Sequence, residues 1–165
     1  MLEKAPGAGA DALILDLEDS VPPAEKAQAR ARVKDFLGER GLPLYVRVNG
    51  FSREGPGTEW LQSDLEEVVR RGLAGVILPK AESGEEIAEL DRCLSSLEDR
   101  AGLNPGSVEI IPFIESARGV YRAYEVLTAS RRVASVCFGS AAEGDLVADL
   151  GCTWSPEGTE LLYAR

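Results

Sequence analysis

The chain has 165 residues, with 18 Lys and Arg against 28 Asp and Glu and no His, which gives a net charge of −10. Such an acidic balance excludes a nucleic-acid or anionic-membrane partner, both of which need clustered Lys and Arg. The absence of His excludes a Ser-His-Asp triad, a Cys-His pair and His-ligated zinc within these residues.

The composition, 44% hydrophobic and 28% charged, is that of a globular chain. At the start, residues 1–12 show no apolar stretch behind positive charge, so no secretory signal is expected. No run approaches the roughly 18 apolar residues of a membrane span. Gly7-Ala8-Gly9-Ala10-Asp11-Ala12 has the spacing G-x-G-x-x-A. It precedes an apolar run instead of following one, so it reads as a turn and not as a dinucleotide fingerprint.

The first apolar run covers 12–17 (ALILDL). Pro22-Pro23 then opens a helix with Ala29, Val33, Phe36 and Leu37 on one face. The second run, 44–48 (LYVRV), precedes a helix in which Ser63 and Glu66 read as a capping box. Leu65, Val68 and Val69 form its face, Arg70 and Arg71 its last turn and Gly72 its stop. The third run, 75–78 (GVIL), is followed by a second capping box, Ser83 with Glu86, and a face of Ile87, Leu90, Leu94 and Leu97. The fourth, 108–114 (VEIIPFI), leads through Ser116 to a helix with Val120, Tyr124 and Leu127 aligned. The fifth, 133–138 (VASVCF), runs into Gly139-Ser140, then Glu143-Gly144-Asp145 and a helix holding Leu146 and Leu150. Ser155-Pro156-Glu157 predicts a last helix over 156–165. Cys93, Cys137 and Cys152 are odd in number and form no C-x-x-C pair, which fits free thiols in a reducing cytoplasm.

Strand and helix alternate five times. That is the pattern of βαβ units with a parallel sheet, closed as a barrel or open and doubly wound. Five units in 165 residues give 33 residues per unit, near the roughly 31 of an eight-unit barrel. No linker or low-complexity stretch interrupts the chain, so residues 1–165 are expected to form a single domain.

Alternation within the strands points to a site. Ile14, Asp16 and Glu18 share one side of the first strand; Tyr45, Arg47 and Asn49 share one side of the second. Val76, Leu78 and Lys80 do so in the third, and Ile111, Phe113 and Glu115 in the fourth. Each series is apolar or aromatic at its start and polar at its carboxyl end. In α/β folds, ligands bind at the carboxyl ends of the strands. Singly, each residue has a plainer role. Arg47 suits an ion pair with Asp16 or Glu18, Glu115 and Asp145 suit the first turns of helices, and Glu18-Asp19 suits a turn. Together they predict one polar mouth.

Glu115 and Asp145 are hard oxygen ligands from neighbouring strand ends, about 4.8 Å apart. Two carboxylates completed by water or substrate oxygens is the habit of Mg2+. Arg47 is the group to grip a substrate carboxylate with two parallel hydrogen bonds. A divalent ion beside a bound 2-oxo acid polarises its carbonyl and stabilises the enolate formed when a C–C bond breaks. Gly139 and Gly144 leave backbone N–H groups open to an anion.

The strings DALILDLEDSVPPAEKAQAR, RVNG, GVILPKAES, IIPFIESARGV and FGSAAEGDLVADLG resemble the HpcH/HpaI aldolase/citrate lyase β-subunit family, and within it the citrate lyase β-subunit-like branch. The resemblance implies a TIM-type (β/α) barrel of the phosphoenolpyruvate/pyruvate superfamily. It also implies a Mg2+-dependent lyase that cleaves a 3-hydroxyacyl thioester, of the citryl-CoA or malyl-CoA type, to an acyl thioester and a 2-oxo acid. By the same resemblance Arg47 is the substrate-carboxylate arginine, Glu115 a metal ligand that also neighbours substrate, and Asp145 the second metal ligand, with Glu143 its rival. Asp16, Glu18 and Asp19 match an acidic strand-end motif, with Asp19 the candidate for acid-base work beside Glu18. Lys80 of LPK and Gly139 are candidate substrate contacts at the mouth.

The resemblance also implies barrel units before and after these five, so the barrel is expected to be incomplete. Exposed strand edges would then favour self-association into a homo-oligomer. Two other functions are compatible with the same residues: a binding or assembly subunit without turnover, and an acyl-CoA thioesterase.

Overall fold

The computed structural model describes residues 5–7, 9–38, 41–51 and 56–164. The Gly7–Ala12 turn falls partly outside them at position 8, as does the end of the last expected helix at position 165. Five strands, β1 (Leu13–Asp16), β2 (Leu44–Arg47), β3 (Leu73–Leu78), β4 (Glu109–Ile114) and β5 (Cys137–Phe138), form one sheet in chain order. All neighbours are parallel. The sheet curls as five consecutive units of a TIM-type barrel.

Helices α1 (Lys26–Phe36), α2 (Gly57–Val68) and α3 (Gly84–Ala101) make the first three crossovers. The fourth is broken into α4 (Ala117–Tyr121) and α5 (Ala123–Thr128), and α6 (Asp145–Leu150) follows β5. The core lies between sheet and helices. Leu15, Leu17, Val46, Val48, Val76, Leu78, Ile110 and Ile114 of the strand segments pack against Val33, Phe36, Leu61, Leu65, Ile87, Leu90 and Leu94. Each such side chain contributes about 1.5–3 kcal/mol on burial.

The opposite, concave face carries the other phase. Ile14, Tyr45, Gly75 and Glu109 lie side by side across four strands, and Asp16, Arg47, Ile77 and Ile111 form the next row. Leu44 pairs with Leu73 but Tyr45 with Gly75, so Ala74 is skipped. Such a bulge inverts the facing of everything after it. Val76 and Leu78 therefore point into the helix-side core, and not to the mouth as their spacing from Lys80 predicts. Gly75 leaves room above its backbone. The Tyr45 hydroxyl reaches over it to donate to Glu109 Oε2 at 2.9 Å, and a Cβ at 75 would meet the Glu109 carbonyl oxygen at 2.8 Å.

Three helical expectations change. Ser63 is not a cap: α2 begins six residues earlier, and the Ser63 hydroxyl donates to the Glu59 carbonyl within the helix (2.8 Å). The helix after Ser116 breaks at Arg122, and Tyr124, expected on its inner face, is exposed while Val126 is buried. Residues after Ser155 form only a 3-10 turn, Thr159–Leu161, entered through Gly158 at φ 62°. The Ser155 amide and hydroxyl both donate to Glu160 at 2.9 and 2.7 Å. The strand expected over 133–138 shrinks to Cys137–Phe138 plus a single bridge between Val133 and Ile110.

Candidate active site

The expected mouth exists. Arg47 closes the concave face of β2 and forks onto Asp16 of β1, with Nε to Oδ1 at 2.8 Å and Nη2 to Oδ2 at 2.6 Å. Its Nη1 meets Glu18 Oε2 at 3.0 Å. Burial would raise the Asp16 carboxyl, but the Arg47 hydrogen bonds, helped by Ser20 and the Glu18 amide, outweigh it and hold the group down at about 2. Arg47 is pushed above its ordinary value, chiefly by the same fork.

Glu18 lies just beyond β1 and is 8% exposed. Its Oε2 accepts from the Asp19 amide at 3.0 Å, and Oε1 lies 3.7 Å from the Lys80 ammonium. Burial dominates here and pushes its carboxyl up to about 7 against those partners. Asp19 itself is exposed and lines the mouth.

Lys80 reaches the site in a way its strand does not dictate. It follows the end of β3 and takes a left-handed backbone, φ 50°, a conformation that costs a non-glycine residue of order 1 kcal/mol. Its N–H then donates to Glu115 Oε1 at 2.9 Å, and its ammonium bonds Asp145 Oδ2 at 2.9 Å. Burial would lower the Lys80 amine, but Asp145 and Glu18 raise it.

Glu115 follows β4 directly and is 7% exposed. Burial pushes its carboxyl up, and the Asp145 charge adds to this against the pull of Lys80. Ser116 beside it caps α4 by accepting from the Gly119 amide at 3.0 Å, so the helix start and the carboxylate coexist. A Cβ at Gly139 would meet Glu115 Cβ at 2.9 Å, but its N–H donates to the Ile114 carbonyl at 2.9 Å and that of Gly144 to the Ala141 carbonyl at 3.0 Å, so neither amide is open to an anion as expected.

Of these groups Asp19, Arg47, Glu115, Gly139 and Asp145 line one open cavity of about 490 Å3, together with Phe113 and Glu143. Glu115 and Asp145 could hold a divalent cation. They are carboxylates facing one polar cavity, and the buried Glu115 carboxyl, raised by desolvation, is a group that a cation would relieve. No cluster of three or more His, Cys, Asp or Glu with metal-holding geometry occurs among the described residues, so water or substrate oxygens would complete the shell.

One expected member is elsewhere. Asn49 lies beyond the end of β2, where period two no longer applies, and its side chain turns to Lys26 and Asp64 on the helix side. Those two buried residues were not foreseen. A lysine opening a helix and an acid within one both read as solvated. No local pattern marks either residue as buried.

The family model for HpcH/HpaI aldolase/citrate lyase matches residues 1–165. The citrate lyase subunit beta of Escherichia coli K12 is 40% identical over 159 residues, 94% of this chain and 50% of that protein. The L-malyl-CoA/beta-methylmalyl-CoA lyase of Cereibacter sphaeroides is 33% identical over 159 residues, 92% of this chain and 46% of that one. This chain therefore spans about half the length of these relatives. Among solved structures, the citrate lyase beta subunit of M. tuberculosis complexed with oxaloacetate and magnesium superposes with a TM-score of 0.67 at 32% identity, covering 95% of this chain and 61% of that one. Match over the whole sequence, strand order and polar mouth agree: the chain belongs to the HpcH/HpaI aldolase/citrate lyase family.

Proposed function

We propose that this chain carries the active site of a Mg2+-dependent C–C lyase that cleaves a 3-hydroxyacyl thioester, of the citryl-CoA or malyl-CoA type, to an acyl thioester and a 2-oxo acid. The observation that carries the reading is the convergence of Arg47, Glu115 and Asp145 on one open cavity at the carboxyl ends of the strands. Relatives named as citrate lyase subunit beta and malyl-CoA lyase, and a related structure bound to oxaloacetate and magnesium, support it.

In this reading Glu115 and Asp145 would hold Mg2+, which when bound would supply positive charge to polarise the 2-oxo carbonyl. Arg47 has its Nε/Nη2 edge fixed by Asp16 and its Nη1 paired with Glu18, so the guanidinium is locked in orientation, and a substrate carboxylate would take the Nη1 contact in place of Glu18. Glu18, near pKa 7, can hold or release a proton at neutral pH, and Asp19 stands at the rim beside it. A base takes the hydroxyl proton. The C–C bond then breaks, its electron pair moves to the thioester as an enolate, and a proton returned to that carbon completes the acyl thioester. Lys80 keeps Asp145 and Glu115 in place, and Gly139 lets β5 approach Glu115.

The test is purified protein with Mg2+ and either citryl-CoA or malyl-CoA, assayed for the 2-oxo acid. Turnover that falls at least about 100-fold in Glu115→Gln is expected. No 2-oxo acid from either thioester overturns the reading. One observation favours a second reading, a binding subunit without turnover: the Arg47 fork is already engaged by Asp16 and Glu18. Oxaloacetate binding with no lyase activity would select it.

We also propose that copies self-associate. Ile14 is 60% exposed on the concave face of the sheet, and apolar surface left open in this way suits contact with another copy. Three free thiols suit a reducing cytoplasm, and no helix among the described residues is long and apolar enough to cross a membrane.

A further inference from the structure

On the helix side of the sheet, directly under the mouth, the structure buries a polar cluster that the reaction above does not use. Lys26 opens α1 and is 5% exposed. Its ammonium donates to the carbonyls of Leu17 (2.7 Å) and Glu18 (2.8 Å) and to Asn49 Oδ1 (2.8 Å). Three acceptors exhaust its three donors, and the Trp60 ring lies 5.2 Å away. Asn49 in turn gives its Nδ2 to Leu17 O (3.1 Å) and to Asp64 Oδ2 (2.6 Å), and its N–H to the same Asp64 oxygen (2.8 Å). Asp64 is fully buried, and its Oδ1 takes Arg30 Nε at 2.6 Å.

Burying a cation and a carboxylate, with Arg30 partly buried beside them, is costly, and an apolar cluster of the same volume would serve stability as well or better. What this cluster does that an apolar one cannot is hold specific carbonyls. The Leu17 and Glu18 carbonyls belong to the two peptide planes that flank the Glu18 Cα. With both planes held, φ and ψ of Glu18 are fixed, and so is the direction of its Cα–Cβ bond into the mouth. Asn49 is two residues beyond Arg47, so the same ammonium also ties down the end of β2 that carries the guanidinium.

We propose that Lys26 is a positioning residue of the active site, acting through the peptide planes on either side of Glu18 and, by way of Asn49, on the strand end that carries Arg47. The inference rests on the lyase reading above and adds to it a residue outside the cavity that Arg47, Glu115 and Asp145 line.

The experiment compares wild type, Lys26→Met, Asn49→Ala and the double variant. Lys26→Met should lower kcat at least about tenfold, with calorimetric Mg2+ affinity within about twofold. The double variant should be no more than about twofold worse than Lys26→Met, because the two residues act as one unit. Lys26→Cys, alkylated with 2-bromoethylamine while unfolded and then refolded, restores an ammonium on a near-isosteric stem. It should recover at least half of kcat, relative to wild type treated identically to control for the native cysteines. Unchanged kcat in Lys26→Met, full additivity, or no recovery in a folded aminoethylated protein overturns the proposal. Should Lys26→Met not fold, Lys26→Gln carries the same measurements.

If wild type itself releases no 2-oxo acid, the lyase reading has failed, and Lys26 is judged by amide exchange alone. The Glu18 and Asp19 amides, bonded to Asp16 Oδ1 (2.9 Å) and Glu18 Oε2 (3.0 Å), should then exchange at least about tenfold faster in Lys26→Met while α3 amides are unchanged. Equal protection in the two proteins overturns the positioning role.

Discussion

Glu18 shows how far a neighbourhood can move a single side chain. Its carboxyl goes from an ordinary 4.5 to about 7, with burial the largest cause. The folded protein thus keeps the proton up to about pH 7, while the unfolded chain releases it near 4.5. The contribution to stability is complete below that lower value and is lost as pH rises through the upper one. In metal-free protein, the urea midpoint of wild type should decline between those pH values relative to Glu18→Gln, in which this decline is absent. Parallel profiles for the two proteins would show that Glu18 titrates normally. Asp16 has the opposite sign: held at about 2 by Arg47 against its burial, it stabilises above its ordinary value of 3.8 and loses that contribution as pH falls toward 2. Arg47, Glu115 and Asp145 could be found in the sequence because each ends or follows a strand whose preceding residues declare the strand. Lys26 and Asp64 could not. Their burial depends on two helices meeting over the end of β2, a fact that no local pattern encodes.

Elements were legible where the local signal is redundant. In α3 the Ser83 hydroxyl accepts from the Glu86 amide (3.2 Å), and the Glu86 carboxylate accepts back from the Ser83 amide (3.1 Å) and from Glu82 (2.9 Å). Gly102 at φ 65° ends the helix, and apolar spacing agrees with both ends. Ser83→Ala should cost about 1 kcal/mol, read as a lower urea midpoint with an unchanged slope. A loss below about 0.3 kcal/mol would mean that Glu86 alone suffices to cap the helix. The pair Ser63 and Glu66 has the same spelling but not the same surroundings. A serine hydroxyl can serve an exposed amide ahead of a helix or a carbonyl one turn back within it, and only the true start of α2 at Gly57 decides between them. The α4–α5 break escaped for a different reason. Gly119 sits where a Cβ would lie 2.7 Å from the Ala81 carbonyl oxygen, so α4 is pressed against the β3–α3 connection by a contact between residues far apart in sequence.

At the scale of the molecule, the alternation of five strands with helices foretold the architecture, since parallel order and right-handed crossovers leave few alternatives. The bulge between β2 and β3 did not show itself, because one skipped residue leaves composition untouched. We read residues 1–165 as one folding unit. Trp60 in α2 and Trp154 beyond α6 report on its two ends, the latter donating to the Ser140 carbonyl at 3.2 Å. Trp60→Phe and Trp154→Phe proteins, each followed by its remaining fluorescence, should unfold in urea with the same midpoint as the far-UV circular dichroism. Separate midpoints would divide the chain in two.

The bridge over Gly75 has a consequence for descent. Tyr45 spans β3 to reach Glu109 only because position 75 has no side chain. Any methyl group there collides with the partner on the next strand, and loss of either partner leaves the other's polar group facing the barrel interior alone. The three positions lie 30 and 34 residues apart in the chain, yet they form one heritable unit. Lineages that depart from Tyr45, Gly75 and Glu109 are expected to replace all three, and a relative that has changed just one should carry a second change somewhere on the concave face.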